Sequence, residues 1–173
     1  MDFKDIVQRR RSFRSFTDEP VSDGDVKMIL RAGLMSPSGH SKRGWHFFKI
    51  SDKKIISQLS AAKSLGADAL KTAPLAIVVA YDRDVSDVWV EDASIAAVTM
   101  QYQATELGLG SCWIQMRLRG REDGTSAEAS LRSILAYPES WNTLCILAVG
   151  HPAVERKMQD ETKLKWDAVS EKA

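Results

Sequence analysis

The chain contains two cysteines, Cys112 and Cys145, and three histidines, His40, His46 and His151, among 173 residues. With no CxxC pair, it can build neither a zinc ribbon nor an iron–sulfur cluster from its own thiols. No HxxxH or HxH spacing offers a metal site, and no GxSxG elbow or paired Cys and His offers a hydrolytic nucleophile. A glycine fingerprint after a strand is missing, and so is a P-loop, which leaves no nucleotide cradle of either common kind. Net charge is close to absent as well: +1, from 24 basic and 23 acidic side chains. The basic excess of a nucleic-acid-binding domain is therefore lacking. No apolar run approaches about 18 residues, and Met1-Asp2-Phe3-Lys4-Asp5 has no apolar signal core. These absences argue against nucleic-acid and membrane partners, and they lead us to expect a cytoplasmic chain with buried, reduced thiols. Redox chemistry would need a bound cofactor, because no side-chain set here carries electrons unaided.

What is present is an ordinary globular composition, 44% hydrophobic and 27% charged, at a length that suits one domain with a sizeable core. Phe3, Ile6 and Val7 have helical spacing and predict a first helix ending near Arg9 or Arg10. Ser22, with Asp25 three residues on and Val21 and Val26 as a staple, starts a second helix. Its apolar face continues through Met28, Ile29, Ala32 and Gly33, and it stops at Ser36 before Pro37. Trp45 to Ile50 reads as a strand. Asp52 caps a helix carrying Ile55, Ile56 and Leu59, and a short helical piece follows over 67–72. Leu75 to Tyr81 has the composition of a strand buried on both faces.

The longest helical stretch runs from about Ser86 to Leu109 and is rich in Ala, Ser and Gly, which suits a central or interfacial position. Ser111 to Gln115 and Asn142 to Val149 read as strands. Between them a helix capped by Thr125 or Ser126 points Ala129, Leu131, Ile134 and Leu135 inward. Helices outnumber strands and do not alternate with them, so the class is α+β.

The one local concentration of charge is Arg9-Arg10-Arg11-Ser12-Phe13-Arg14-Ser15-Phe16. Guanidinium forks and small hydroxyls at this density suit a phosphate; the competing reading is a solvated basic face.

The residues from Arg10 to Phe16 resemble the RRSxRxF opening of the nitroreductase family of FMN-dependent oxidoreductases. Ser36-Pro37-Ser38-Gly39-His40-Ser41-Lys42-Arg43-Gly44-Trp45-His46-Phe47 is similar to the family's second motif, APSxxNxQPWxF. Leu107-Gly108-Leu109-Gly110-Ser111-Cys112-Trp113-Ile114 is similar to the third. Ala148-Val149-Gly150-His151-Pro152 resembles its glycine-tyrosine-proline segment, and Lys163-Leu164-Lys165 sits where many members have Lys-x-Arg. These blocks follow the family's order over nearly the whole chain.

The resemblance implies an α+β nitroreductase-like fold, with a central, mostly antiparallel sheet flanked by helices, in an intertwined homodimer. Residues 1–173 would form one domain, its 152–173 extension reaching the partner subunit. It implies bound FMN, with Arg10, Ser12, Lys163 and Lys165 on the phosphate and Arg11 adding contacts. Arg14 would face the pyrimidine edge, where a cation favours the reduced flavin. Pro37, Ser38, Gly39 and Ser41 would line the ring and ribityl chain from the neighbouring subunit. Trp113, Ile114 and Gln115 would pass behind the ring, offering a backbone N–H to flavin N5. No side chain is assigned a catalytic role. NADH or NADPH would be the electron donor, in a ping-pong cycle with a small electron-poor acceptor such as a nitroaromatic or quinone. Two alternatives share the scaffold: a non-catalytic flavin carrier or sensor, and a flavin or enone reductase. Three positions depart from the motif, with Ser41, Arg43 and Gly44 in place of Asn, Gln and Pro. The stretch from Gln115 to Ser126 is too short for a large lid helix, so an open pocket is expected.

Overall fold

The computed structural model describes residues 1–172; Ala173, the last residue of the 152–173 extension, lies outside the described residues. Four strands form one antiparallel sheet: β1 (Trp45–Ile50), β2 (Leu75–Asp82), β3 (Gly110–Gln115) and β4 (Trp141–Gly150), in the order β1-β2-β4-β3. The fold is therefore α+β with an antiparallel sheet, as expected. The strand read as buried on both faces, β2, lies in the middle beside β4, which is buried from Thr143 to Gly150. Central strands carry near-continuous apolar runs because helices cover both faces of the sheet.

One face is covered by α2 (Asp23–Leu34) and α4 (Trp89–Glu106), which meet Ile77, Val79, Tyr81, Leu147 and Val149. The other is covered by α3 (Lys53–Ser60), the turn Asp68–Lys71 and α5 (Ala127–Leu135), against Ala76, Val78, Ile114, Ile146 and Ala148. The alternation breaks once. Val79 pairs with Cys145 but Ala80 pairs with Thr143, so Leu144 bulges and both Leu144 and Cys145 face α4.

The helix starts are set by local chemistry. Ser22 Oγ accepts the Asp25 amide, Asp52 accepts from the Lys54 and Ile55 amides, and Ser126 Oγ accepts the Ala129 amide. Ser126, not Thr125, is thus the cap of α5. The structure also revises where some side chains lie and where the long helix begins and ends. Met28 and Ala129 are exposed rather than inward: α2 buries Val26, Ile29 and Gly33, and α5 buries Ala127 and Leu131. In α2, helical progression carries Met28 away from the face shared by Ile29 and Gly33. Of the first helix, α1 (Phe3–Arg9), only Ile6 is buried.

The long helix is shorter than expected, 89–106 rather than 86–109. It ends in a Schellman motif, with Leu109 N–H on Ala104 O and Gly108 N–H on Thr105 O, and Gly108 takes φ +78°. Among the described residues no helix is long and apolar enough to cross a membrane. Both thiols are free and buried, and burial raises both above their ordinary pKa. His46 stacks on Trp141 at 3.4 Å between ring centroids, and burial lowers its pKa. That is a packing role.

Candidate functional site

The arginine-serine stretch is built onto the sheet. As the chain leaves α1, Ser12 bridges Ser111 in parallel and the Phe13 amide donates to Ser111 O at 3.0 Å. Phe16 then bridges Pro152, the Thr17 amide donates to His151 O, and the Ala153 amide donates to Ser15 O. Residues 12–17 are thus held between the free edge of β3 and the chain emerging from β4. Gly110 permits this approach: a Cβ there would lie 2.9 Å from Phe13 Cγ and 3.0 Å from Phe13 Cβ.

After Pro152 the chain turns back along α1. Gln159 N–H donates to Gln8 O at 2.9 Å, Gln159 Nε2 to Val7 O, and Gln8 Nε2 to Gln159 O. Arg11 Nη1 donates to Lys157 O, and Arg156 Nη1 donates to Ser12 O at 3.0 Å. The two ends of the chain enclose a cleft of about 730 Å3. Arg10, Arg11, Ser12, Arg14, Arg156, Lys157 and Lys163 line it, and Asp160 is its one acid. Asp160 stands 3.6 Å from Lys163 and also accepts the Thr162 amide and hydroxyl. Arg10 and Arg14 have no carboxylate partner among the described residues. Six cations held against one carboxylate repel each other unless an anion enters. The donor set fits a dianionic phosphate, which needs several charge-assisted bonds around it.

Of the residues singled out in the sequence, Arg10, Arg11, Ser12, Arg14 and Lys163 meet in this cleft. Lys165 does not border it. The sequence does not single out Arg156 and Lys157: two adjacent cations in a charged tail stand out only once the fold sets them against Ser12 and Arg11.

Trp113, Ile114 and Gln115 lie beyond, on β3. Ser111 O faces outward to Phe13, so strand alternation turns the backbone of Trp113 and Gln115 to the same open edge. Gln115 O accepts from Lys63 Nζ at 2.9 Å. Burial, reinforced by Arg119, pushes the pKa of that ammonium down. The Trp113 indole N–H donates to Gln115 Oε1, whose Nε2 donates to Arg117 O. The Trp113 amide thus remains at the edge as a donor facing away from β4. No helix occupies 116–126, where a loop is tied down by the Ser64 amide on Gly120 O.

Pro37, Ser38, Gly39 and Ser41 sit elsewhere, between α2 and β1, and none borders the cleft. Within one chain the candidate residues therefore fall into two groups, with the cleft and the β3 edge in one and the 37–41 loop in the other.

Comparison with known proteins gives the family and the fold. A family model described as "Nitroreductase family" matches residues 7–67 and 57–151. An FMN-dependent nitroreductase from Clostridium difficile R20291 superposes with a TM-score of 0.94 at 39% identity, over 97% of this chain and 98% of that one. An Archaeoglobus fulgidus protein named "Putative NADH dehydrogenase/NAD(P)H nitroreductase" is 33% identical over 155 residues, 87% of this chain and 86% of the relative. A Desulfovibrio desulfuricans protein solved in complex with FMN aligns over 100% of this chain and 98% of that one, at 25% identity and a TM-score of 0.79.

Proposed function

Because the chain belongs to the nitroreductase family, we propose that it is an FMN-dependent NAD(P)H oxidoreductase whose cleft between the chain ends holds the flavin phosphate. The observation that carries this reading is the convergence of Arg10, Arg11, Arg14, Arg156, Lys157 and Lys163 around Ser12, against a single acid. Bound FMN would accept a hydride from NADH or NADPH and deliver two electrons to a nitroaromatic or quinone-type acceptor in a ping-pong order.

The protein's own residues bind and tune. Arg10, Ser12 and Lys163 hold the phosphate, with Lys165 approaching from the tail. Arg11 and Arg156 brace the cleft by tying tail to stretch through Lys157 O and Ser12 O. Arg14 carries positive charge toward the pyrimidine edge, where it favours the reduced cofactor. Trp113, Ile114 and Gln115 back the ring, and the outward Trp113 amide supplies a donor at that edge.

The separation of the 37–41 loop from the cleft supports a homodimer, in which Pro37, Ser38, Gly39 and Ser41 complete the neighbouring subunit's site. Apolar side chains left open on one chain support the same arrangement: Phe3 on α1, Leu34 and Met35 at the end of α2, and Trp166 and Val169 on the tail. We take residues 1–173 as one domain, with 152–173 reaching the partner, and place the protein in the cytoplasm.

The test is the purified protein itself. It should be yellow, with one FMN per chain, and bleach on anaerobic mixing with NADH or NADPH. Addition of a quinone should then restore the colour. A preparation that stays colourless after incubation with FMN would refute the reading; one that binds FMN but does not bleach would favour the carrier alternative.

A further inference from the structure

Asp92 is a buried carboxylate that takes no part in the cationic cleft. It lies in the first turn of α4 at 2% exposure. Its Oδ1 accepts the Gly39 amide at 2.8 Å, and its Oδ2 accepts the Tyr81 hydroxyl at 2.8 Å and the Ser86 hydroxyl at 3.5 Å. All three donors are neutral, and no cation pairs with Asp92 among the described residues. A buried carboxylate must have its oxygens hydrogen-bonded, and the bonds of Asp92 tie three separate segments, at Gly39, Tyr81 and Ser86, to α4.

What it holds is the segment after Pro37. His40, Ser41 and Arg43 take φ of 49°, 56° and 50°, three left-handed non-glycine residues within four. Each is strained by the contact of its Cβ with the backbone, so the segment relaxes unless its surroundings over-determine it. Four contacts do so. Asp92 takes the Gly39 amide, Ser38 Oγ takes the Arg43 amide at 3.0 Å, and Gly44 O takes the Asp82 amide at 2.8 Å. At Gly39, a Cβ would approach Val88 Cγ2 to 2.7 Å, so the backbone is pressed against the start of α4.

We infer that Asp92 is a positioning residue: its bond to Gly39 fixes the strained 38–43 segment in the shape that presents Ser38, Gly39 and Ser41 to the neighbouring subunit's flavin. This rests on the FMN reading above.

The experiment compares Asp92→Ala, Asp92→Asn and Tyr81→Phe with the wild type. Asp92→Ala removes the acceptor. Asp92→Asn keeps a carbonyl oxygen for Gly39 while its amide donates to the Tyr81 oxygen, so it should rescue. Tyr81→Phe removes the other arm and leaves the Gly39 bond intact.

In FMN-free protein, Asp92→Ala should speed hydrogen exchange of the Gly39 amide at least about tenfold, while Tyr81→Phe leaves it near wild type. FMN should bind Asp92→Ala about tenfold more weakly, and Asp92→Asn and Tyr81→Phe within about threefold of wild type. Should Asp92→Ala not fold, Asp92→Ser, whose shorter hydroxyl cannot reach Gly39, takes its place.

Unchanged Gly39 exchange in a folded Asp92→Ala protein overturns the inference. So does a Tyr81→Phe protein that loses FMN as severely as Asp92→Ala, since that would be general destabilisation. A wild type that takes up no FMN overturns the flavin reading before any variant is compared, and the exchange measurement still decides whether Asp92 pins the segment.

Discussion

Replacing Gly110 by alanine should injure the cationic cleft from a position that does not border it. The new Cβ would meet Phe13 Cγ at 2.9 Å and Phe13 Cβ at 3.0 Å, where carbon atoms ordinarily rest about 3.5–4.0 Å apart. Phe13 must therefore retreat by about 0.5–1 Å, and rotating its ring cannot relieve a contact that includes Cβ. Its amide is fixed to Ser111 O and its neighbour Ser12 is bridged to Ser111, so the displacement passes into the backbone that carries Ser12 and Arg14. Overpacking of this size costs about 1–3 kcal/mol, partly offset by about 0.4–1 kcal/mol from the smaller unfolded-state entropy of alanine. A net loss of about 1–2 kcal/mol lowers the melting temperature by about 2–8 °C for a domain of this length. Moving one charge-assisted donor out of range costs about 1.5–3 kcal/mol of binding, which is about a 10–100-fold weaker Kd for FMN. Thermal unfolding of the flavin-free protein and a flavin fluorescence titration read the two effects separately. Gly24→Ala is the control, because its Cβ meets nothing closer than Ser22 Oγ at 3.7 Å. A Gly110→Ala protein with wild-type FMN affinity would refute the claim that the β3 edge sets the position of the arginine stretch.

The remaining outcomes concern charge and protonation. Arg10→Ala should weaken FMN about 10–100-fold with little change in potential. Arg14→Ala should instead make the bound flavin's two-electron potential more negative by about 30–60 mV, seen in a spectroelectrochemical titration. Equal losses of binding with no shift in potential would dissolve that division of labour. Burial raises the pKa of Cys112, against the pull of Arg14, Lys63 and Arg156, and burial alone raises that of Cys145. In the unfolded chain both thiols ionise near 9, before their native counterparts. Stability from this source is therefore complete below pH 9 and is lost as pH rises through the native values, by up to about 1.4 kcal/mol per pH unit for each thiol. The urea midpoint should fall between pH 8 and pH 10, and a thiol reagent at pH 8 should find two reactive groups only after unfolding. An unchanged midpoint, or rapid labelling of the native protein, would contradict the assignment.

What could be read in advance was whatever neighbouring residues encode. Ser22, Asp52 and Ser126 announce three helix starts because a capping side chain and the amide it satisfies are two or three residues apart. Trp45 to Ile50 matches β1 to the residue because aromatic and apolar side chains run between polar boundaries. The misplacements have the opposite origin. Ala129 and Met28 are apolar at positions where only the packing partner decides which side of the helix is inside. The bulge at Leu144 is invisible because it depends on how β4 meets β2, not on β4 itself. In the candidate site, the arginine stretch was legible from its own density of charge. Arg156 was not, because its meaning lies in a bond to Ser12, 144 residues earlier in the chain. Asp92 is an ordinary acid in an Ala-rich helix until the fold sets Gly39 and Tyr81 against it.

The cleft's dependence on both chain ends bears on the protein's birth. In the order of synthesis the arginine stretch comes first, and the residues that close over it, 156 to 164, come after every strand of the sheet. The sheet can already pair once Gly150 is out, since β4 is the final strand. There is thus an interval in which the nascent protein has its scaffold and an unclosed cleft. Pairing of the sheet therefore does not wait for the cleft, and the cleft cannot close before the last strand of the sheet has been made.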